Sequence, residues 1–359
     1  MTTIFGLAGM QATDFQFVNQ VGQSLLYEMT QTYLAYINAD VERAVSVFVQ
    51  SVTEDHNQRY RLPGSGLMSE RAEGTNGATV RAVGSVSVGF PLFDYSEQVA
   101  GTREDLAYMT PTDYQTHIDT VVTRYRNRLR HSILNALFDA TTTTFTDRRW
   151  GDLTVKPLAN GDSDVYPPVA GSTTEATDNH YLESGYAATA ISDTNNPYVT
   201  IRDEIVEHFE GGMTGGDNIV VFINNAETAE TEDLTDFEPV EDRFIRSGDN
   251  RDVPVNLPNV PGRIIGRTNG CWVSEWRWIP ASYMLGVHLD VSAPCKMRVD
   301  PAATGLPRGL ALVAQDDSYP IASAEWNARF GIAVANRLNG VAFELGTGGT
   351  YTDPTAYSD

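Results

Sequence analysis

Few residues in this chain have types and spacing suited to chemistry. Asp316-Asp317, and Glu230 with Glu232 and Asp233, are carboxylate clusters of the kind that holds a divalent cation through oxygen ligands, although a solvated acidic face has the same composition. His117 and His131 fall in one helical stretch, about 21 Å apart along its axis, too far to share a metal within that rod. Cys271 and Cys295 are the only cysteines, there is no CxxC, and the six histidines are scattered, so the pattern argues against a structural zinc site. The two thiols read as buried and unpaired, because the N-terminus lacks the basic-then-apolar layout of an export signal. Gly215-Gly216-Asp217 lacks the Gly-Lys-Ser/Thr that grips phosphate and precedes a strand rather than a helix. No HExxH, GxSxG, HxE…CxxC or paired-glycine dinucleotide fingerprint occurs. The expectation is a chain with no catalytic residues, no metal and no cofactor.

What remains is a set of four arginines, Arg59, Arg61, Arg71 and Arg81, on one otherwise polar extension of an acidic chain. Arg59 and Arg61 alternate with Tyr60 and Leu62 from Asn57 onward, the period-two pattern of a strand, and so project from one face. Pro63–Gly77 is a Gly-rich polar tip. Ala78–Phe93 alternates again, with Val80, Ala82, Val86, Val88 and Phe90 on one side. Two such strands make a long ribbon that cannot bury its own apolar face, so it needs a surface to lie on, and another subunit is the expected one. Its arginines can fork onto carboxylates of that subunit, or remain solvated charges.

The element that anchors this extension is Thr110–Ala140. Thr110 is a good N-cap, Pro111 suits the first helical position, and Asp113 favours the positive end of the helix dipole. Apolar residues recur at three-and-four spacing from Tyr114 to Phe138, a rod on the order of 43 Å long. Helical spacing also runs from Gln23 to Val52, with a break expected at Asn38-Ala-Asp40. Beyond the long helix come loops and short strands to Asn196, a helix from Pro197 to Gly212, an apolar strand at Ile219–Ile223, and a partly helical acidic stretch over Asn224–Phe244. Arg246–Gly262 reads as an extended loop, Arg263–Val299 as strands, and Ala324–Leu345 as two strands joined by a hairpin at Asn339-Gly340.

At 359 residues the chain can build a substantial core. Its formal charge of −22 repels phosphate backbones and argues against sequence-reading nucleic-acid binding, and no stretch is apolar and long enough to span a membrane. Lys156 and Lys296 are the only lysines.

The order of parts resembles the major capsid proteins of tailed phages with the Hong Kong 97-type fold. The likeness rests on VGFPLFDYSEQVAG…LAYMTPTDY (Val88–Tyr114), TGGDNIVVFINNAET (Thr214–Thr228) and RFGIAVANRLNGVAFELGTGGTY (Arg329–Tyr351). The resemblance implies an α+β fold. Residues 1–54 would form the N-terminal arm and helix, 55–109 the E-loop, 110–196 the P domain with the long helix as its spine, 197–312 the A domain, and 313–359 the returning P-domain strands and C-terminus. It implies a non-enzymatic protein whose hexamers and pentamers close an icosahedral shell around double-stranded DNA. The implied partners are further copies of itself, a separate scaffolding protein, a portal protein, a decoration protein where the shell carries one, and packaged DNA touched non-specifically. The location would be the virion, after assembly in the host cytoplasm. Encapsulin-type nanocompartments share this fold and are the alternative. Some members crosslink subunits through an E-loop lysine, and Asp55–Gly101 contains none. Some carry a long fused scaffolding segment, whereas the stretch before the first helix here is short.

Overall fold

The computed structural model describes residues 3–4, 8–9, 23–61, 68, 70, 85–208, 218–240, 260–316 and 321–358. Two-residue strands β1 (Thr3–Ile4) and β2 (Ala8–Gly9) pair antiparallel. Helix α1 (Gln23–Ala44) runs unbroken through Asn38-Ala-Asp40, contrary to the sequence expectation. Asn38 is used in tertiary contact instead: Nδ2 donates to the Leu310 carbonyl (3.2 Å) and Oδ1 accepts the Leu310 amide (3.1 Å). The predicted helix also ends early. Val49–Thr53 is a strand, β3, in which Val49, Val52 and Thr53 pair in parallel with Cys295, Met297 and Arg298. β-branched residues favour that extended state once a partner strand is present.

The ribbon starts with β4 (Asn57–Arg61) and returns as β5 (Ser85–Gly89), in antiparallel register from Asn57 opposite Gly89 to Arg61 opposite Ser85. Val86, Val88 and Phe90 are buried, as the alternation predicted, but at the ribbon's base they pack on Ala333 and Ala335 of the same chain, with Tyr60 and Val155 alongside. That part of the apolar face needs no second subunit. The return strand also stops before Phe93. Pro91, which has no N–H to pair, separates it from a ten-residue strand, β6 (Phe93–Thr102).

After the short α2 (Arg103–Tyr108) comes the long helix α3 (Pro111–Phe138). Its start is a full capping box: Thr110 Oγ1 accepts the Asp113 amide (3.3 Å), and Asp113 Oδ2 accepts the Thr110 amide (3.0 Å). Ile118, Val121, Val122, Tyr125, Leu129, Ile133, Leu134, Leu137 and Phe138 form its buried stripe, each large aliphatic side chain stabilising by about 2 kcal/mol. They face α1 and the strands that follow.

After the helix come the hairpin β7 (Thr143–Asp147) and β8 (Gly151–Val155), then β9 (Tyr181–Glu183). Helix α4 (Pro197–Val206) leads to β10 (Ile219–Ile223), and α5 (Thr228–Glu232) to β11 (Glu238–Pro239). The rest are β12 (Arg263–Thr268), β13 (Cys271–Glu275), β14 (Tyr283–His288), β15 (Cys295–Arg298), β16 (Leu310–Asp316), β17 (Ile321–Val334) and β18 (Val341–Glu344). One mixed sheet has the order β11-β12-β13-β10-β14-β18-β9. Strand β10 is central and buried along its whole length. Because side chains alternate across a strand, Val220 and Phe222 enter the core beneath α3, while Ile219, Val221 and Ile223 enter a second core beneath α4. The sheet therefore divides the molecule into two apolar layers.

A second sheet has the order β16-β17-β15-β3, with β6 also paired along β17 from Phe93 opposite Phe330 to Thr102 opposite Ile321. Strands β17 and β18 lie in different sheets, so Asn339-Gly340 is not the hairpin turn that the sequence predicted. Asn339 is fully buried: its Oδ1 accepts the His288 amide (2.9 Å), and Nδ2 donates to the His288 (3.0 Å) and Ser292 (2.9 Å) carbonyls. Those bonds turn the chain out of one sheet and into the other. Cys271 and Cys295 are both buried and form no disulfide, as expected.

Gly331 marks the closest approach of β17 to the ribbon's exit. A Cβ there would lie 2.0 Å from the Pro91 carbonyl oxygen, a backbone atom that cannot swing aside. Gly331→Ala is expected to cost about 1–3 kcal/mol by overpacking, read as a lower urea midpoint. An unchanged midpoint would mean that the Pro91 segment yields freely.

Candidate functional site

The arginines singled out from the sequence are only partly described. Arg59 is exposed on β4, and its guanidinium reaches across the ribbon to Ser85 Oγ from Nε (3.1 Å) and Nη2 (2.9 Å). Among the described residues, no carboxylate lies within ion-pair distance of it. Arg61 ends the described strand with its backbone opposite Ser85. Arg71 and Arg81 lie outside the described residues. The ribbon base thus presents a positive group at its surface, held in position by a neutral hydroxyl.

The arginines of α3 are used inside the chain. Arg124 pairs with Glu97 of β6 (2.8 Å), Arg128 lies over the Tyr95 ring (4.7 Å), and Arg130 lies over Trp278 (5.4 Å). The first two fasten the long helix to the strand that leaves the ribbon, and the third fastens it to the segment between β13 and β14.

The ribbon's root is locked by a group that sequence reasoning missed. Arg298, 5 % exposed on β15, donates from Nη1 to the Phe90 carbonyl (2.7 Å) and pairs through Nη2 with Asp147 (2.8 Å) at the end of β7. Burial alone would raise the Asp147 carboxyl. The Arg149 and Trp150 amides and Arg298 more than offset this and hold it below the ordinary carboxylate range. Asp162 is depressed in the same way, burial being outweighed by Arg337, the Asp164 amide and Lys156. Depressed carboxylates contribute stability that is complete above about pH 4 and is lost as pH falls through their folded values. The urea midpoint should therefore drop steeply below about pH 4, and Asp147→Asn should make that acid arm shallower. An acid arm of equal slope in the variant would show that Asp147 is not a source of it.

A second cluster lies where the end of α4 meets β9. Asp178 Oδ2 is 2.8 Å from His180 Nε2 and 2.6 Å from His208 Nε2, and Glu207 Oε1 is 3.4 Å from His208 Nε2. His180 is buried just before β9, with Nδ1 2.8 Å from the Gly340 carbonyl. Glu204, Glu207 and His208 follow one another at the three-and-four spacing of a helical turn, which brings all three to one side of the α4 terminus. Burial pushes the Glu204 carboxyl up to about 7, with Glu207 and Asp178 adding to the rise against the two imidazoles. Histidines that looked scattered along the sequence are thus neighbours in space. The signal that would have found the site is the Glu-x-x-Glu-His run at residues 204–208 beside Asp178-x-His180.

No protein-family model matches the chain, and no curated protein matches its sequence. Solved structures do match. A chain from Mycobacterium phage Patience superposes with a TM-score of 0.67 at 20 % identity, over 95 % of this chain and 93 % of that one. A chain from the asymmetric unit of the bacteriophage PhiM1 mature capsid superposes with a TM-score of 0.51 at 10 % identity, over 82 % of this chain and 85 % of that one. At these identities the likeness is one of fold: the mixed α/β architecture described above is shared with a phage capsid chain. Among the described residues, no helix is long and apolar enough to cross a membrane.

Proposed function

We propose that this chain is the major capsid protein of a tailed virus, a structural and non-enzymatic subunit whose hexamers and pentamers close an icosahedral shell around double-stranded DNA. The observation that carries this reading is the fold likeness to phage chains, which extends over 95 % of this chain for one and 82 % for the other. On this reading residues 55–109 are the E-loop, 110–196 and 313–359 the P domain, 197–312 the A domain, and 1–54 the N-terminal arm and its helix. The ribbon, with Arg59, Arg61, Arg71 and Arg81, reaches an acidic surface of the neighbouring subunit. Its partners are further copies of itself, a separate scaffolding protein, a portal protein, a decoration protein where the shell carries one, and packaged DNA met without sequence preference. Assembly takes place in the host cytoplasm and the product is the virion.

Negative-stain imaging of the purified chain, alone and co-expressed with genes neighbouring its own, tests this. Closed shells are expected, and boiling them in detergent should release one band near 39.4 kDa, because residues 55–101 hold no lysine for a crosslink. A protein that stays monomeric with its assembly partners present would overturn the capsid reading. Shells that co-purify with a cargo enzyme would replace it with a nanocompartment.

A further inference from the structure

The cluster at the end of α4 poses a problem of charge and hydrogen. The Gly340 carbonyl can only accept, so the His180 Nδ1 facing it at 2.8 Å carries the hydrogen. A neutral imidazole in that tautomer presents a lone pair at Nε2. This lone pair points at Asp178 Oδ2, which is also an acceptor, 2.8 Å away. His208 Nε2 meets the same oxygen at 2.6 Å. The two imidazole side chains are 0 % and 3 % exposed and Asp178 is 14 % exposed, so water does not dilute the convergence. A positive species has to stand among these acceptors.

We propose that Asp178, His180 and His208, whose ligand atoms all lie within 4.8 Å of one another, form a binding site for a divalent transition-metal ion of the zinc type. Two imidazole nitrogens and one carboxylate are three of the four donors of a tetrahedral zinc site, with the fourth position left to water or to a nearby carboxylate. Calcium and magnesium favour all-oxygen shells and fit it poorly. Metal–ligand bonds of about 2.0–2.1 Å place tetrahedral ligands roughly 3.3 Å apart. The His180–Asp178 and His208–Asp178 separations of 2.8 and 2.6 Å open by roughly 0.5 and 0.7 Å to reach it. The Gly340 carbonyl orients His180 in the way that metal-bound histidines are usually held. The ligands come from two separate elements, the approach to β9 at the edge of the large sheet and the last turn beyond α4. A bound ion therefore fastens that helix end to the sheet. The site stands on the chain's own geometry and does not depend on the capsid reading.

The test uses the untagged full-length chain, stripped with EDTA and titrated with Co2+ as a spectroscopic probe. A visible ligand-field band that saturates at one equivalent and is bleached by Zn2+ is expected, together with a higher melting temperature in Zn2+ than in Mg2+ or EDTA. His208→Gln, just beyond a helix end, and Asp178→Asn, outside helix and strand, should fold, as judged by circular dichroism. Each is expected to weaken binding by at least about tenfold. Glu204→Gln, which removes a neighbour rather than a ligand, should bind with unchanged stoichiometry. No band in the native chain, or equal binding by native and His208→Gln protein, would overturn the site and leave a cluster bridged by protons alone. Because the readout is metal binding by the subunit, its failure is distinct from a failure to form shells.

Discussion

Replacing Arg337 with methionine is expected to lower the unfolding free energy by about 3–5 kcal/mol, the usual cost of removing one partner from a buried charge network. Arg337 lies in the turn between β17 and β18, with its side chain 3 % exposed. All three of its nitrogens are engaged. Nε donates to the Pro157 carbonyl (2.8 Å), Nη1 to Asp162 (3.0 Å) and Asp164 (2.6 Å), and Nη2 to the Leu158 carbonyl (3.1 Å) and Asn160 Oδ1 (3.0 Å). The planar guanidinium is thus the template on which residues 157–164 fold. Without it, Asp162 and Asp164 keep, among the described residues, only Lys156 as a cationic partner, and two carbonyls lose donors. Arg337→Lys retains the charge but has no fork to span five acceptors, so it should recover only part of the loss. Urea unfolding of the three proteins decides the matter. A methionine variant within about 1 kcal/mol of the native chain would mean that the loop folds without its template.

The largest effect on assembly is expected from Arg59→Glu combined with Arg61→Glu. Arg59 is exposed, and among the described residues its only fixed partner is the Ser85 hydroxyl, so its reversal removes no ion pair described within the subunit. Surface changes of this kind usually alter stability by no more than about 0.5 kcal/mol. If the ribbon meets carboxylates of a neighbour, as proposed, the reversal turns attraction into repulsion at every contact of the shell. A change of about 1.4 kcal/mol per contact weakens each one tenfold, and contacts repeated around a ring compound the loss. The expected result is a subunit with a native circular dichroism spectrum that sediments mainly as small species. Shells formed in normal yield would show that these arginines are surface charge only.

The sequence alone determined the elements whose stabilisation is local. The long helix was legible because its capping box, its proline and its apolar stripe are all encoded within one stretch, and each acts on backbone groups at most a few residues away. The alternation that buries Val86 and Val88, and the apolar run of β10, were legible for the same reason: a strand's side-chain period is fixed by the backbone. The arginines of the ribbon stood out by composition, although only Arg59 has a described environment.

Only the tertiary structure decided which segments become neighbours. Val49–Thr53 is a strand because Cys295–Arg298 lies beside it, and Asn339-Gly340 changes sheets because His288 and Ser292 claim the Asn339 side chain. Arg337 meets carboxylates more than 170 positions earlier in the chain, and His208 meets Asp178 across the whole of α4. Such contacts leave no periodic trace in the sequence. Their partners are chosen by where the two apolar faces of the sheet must be covered, which is a property of the whole fold and of no single stretch.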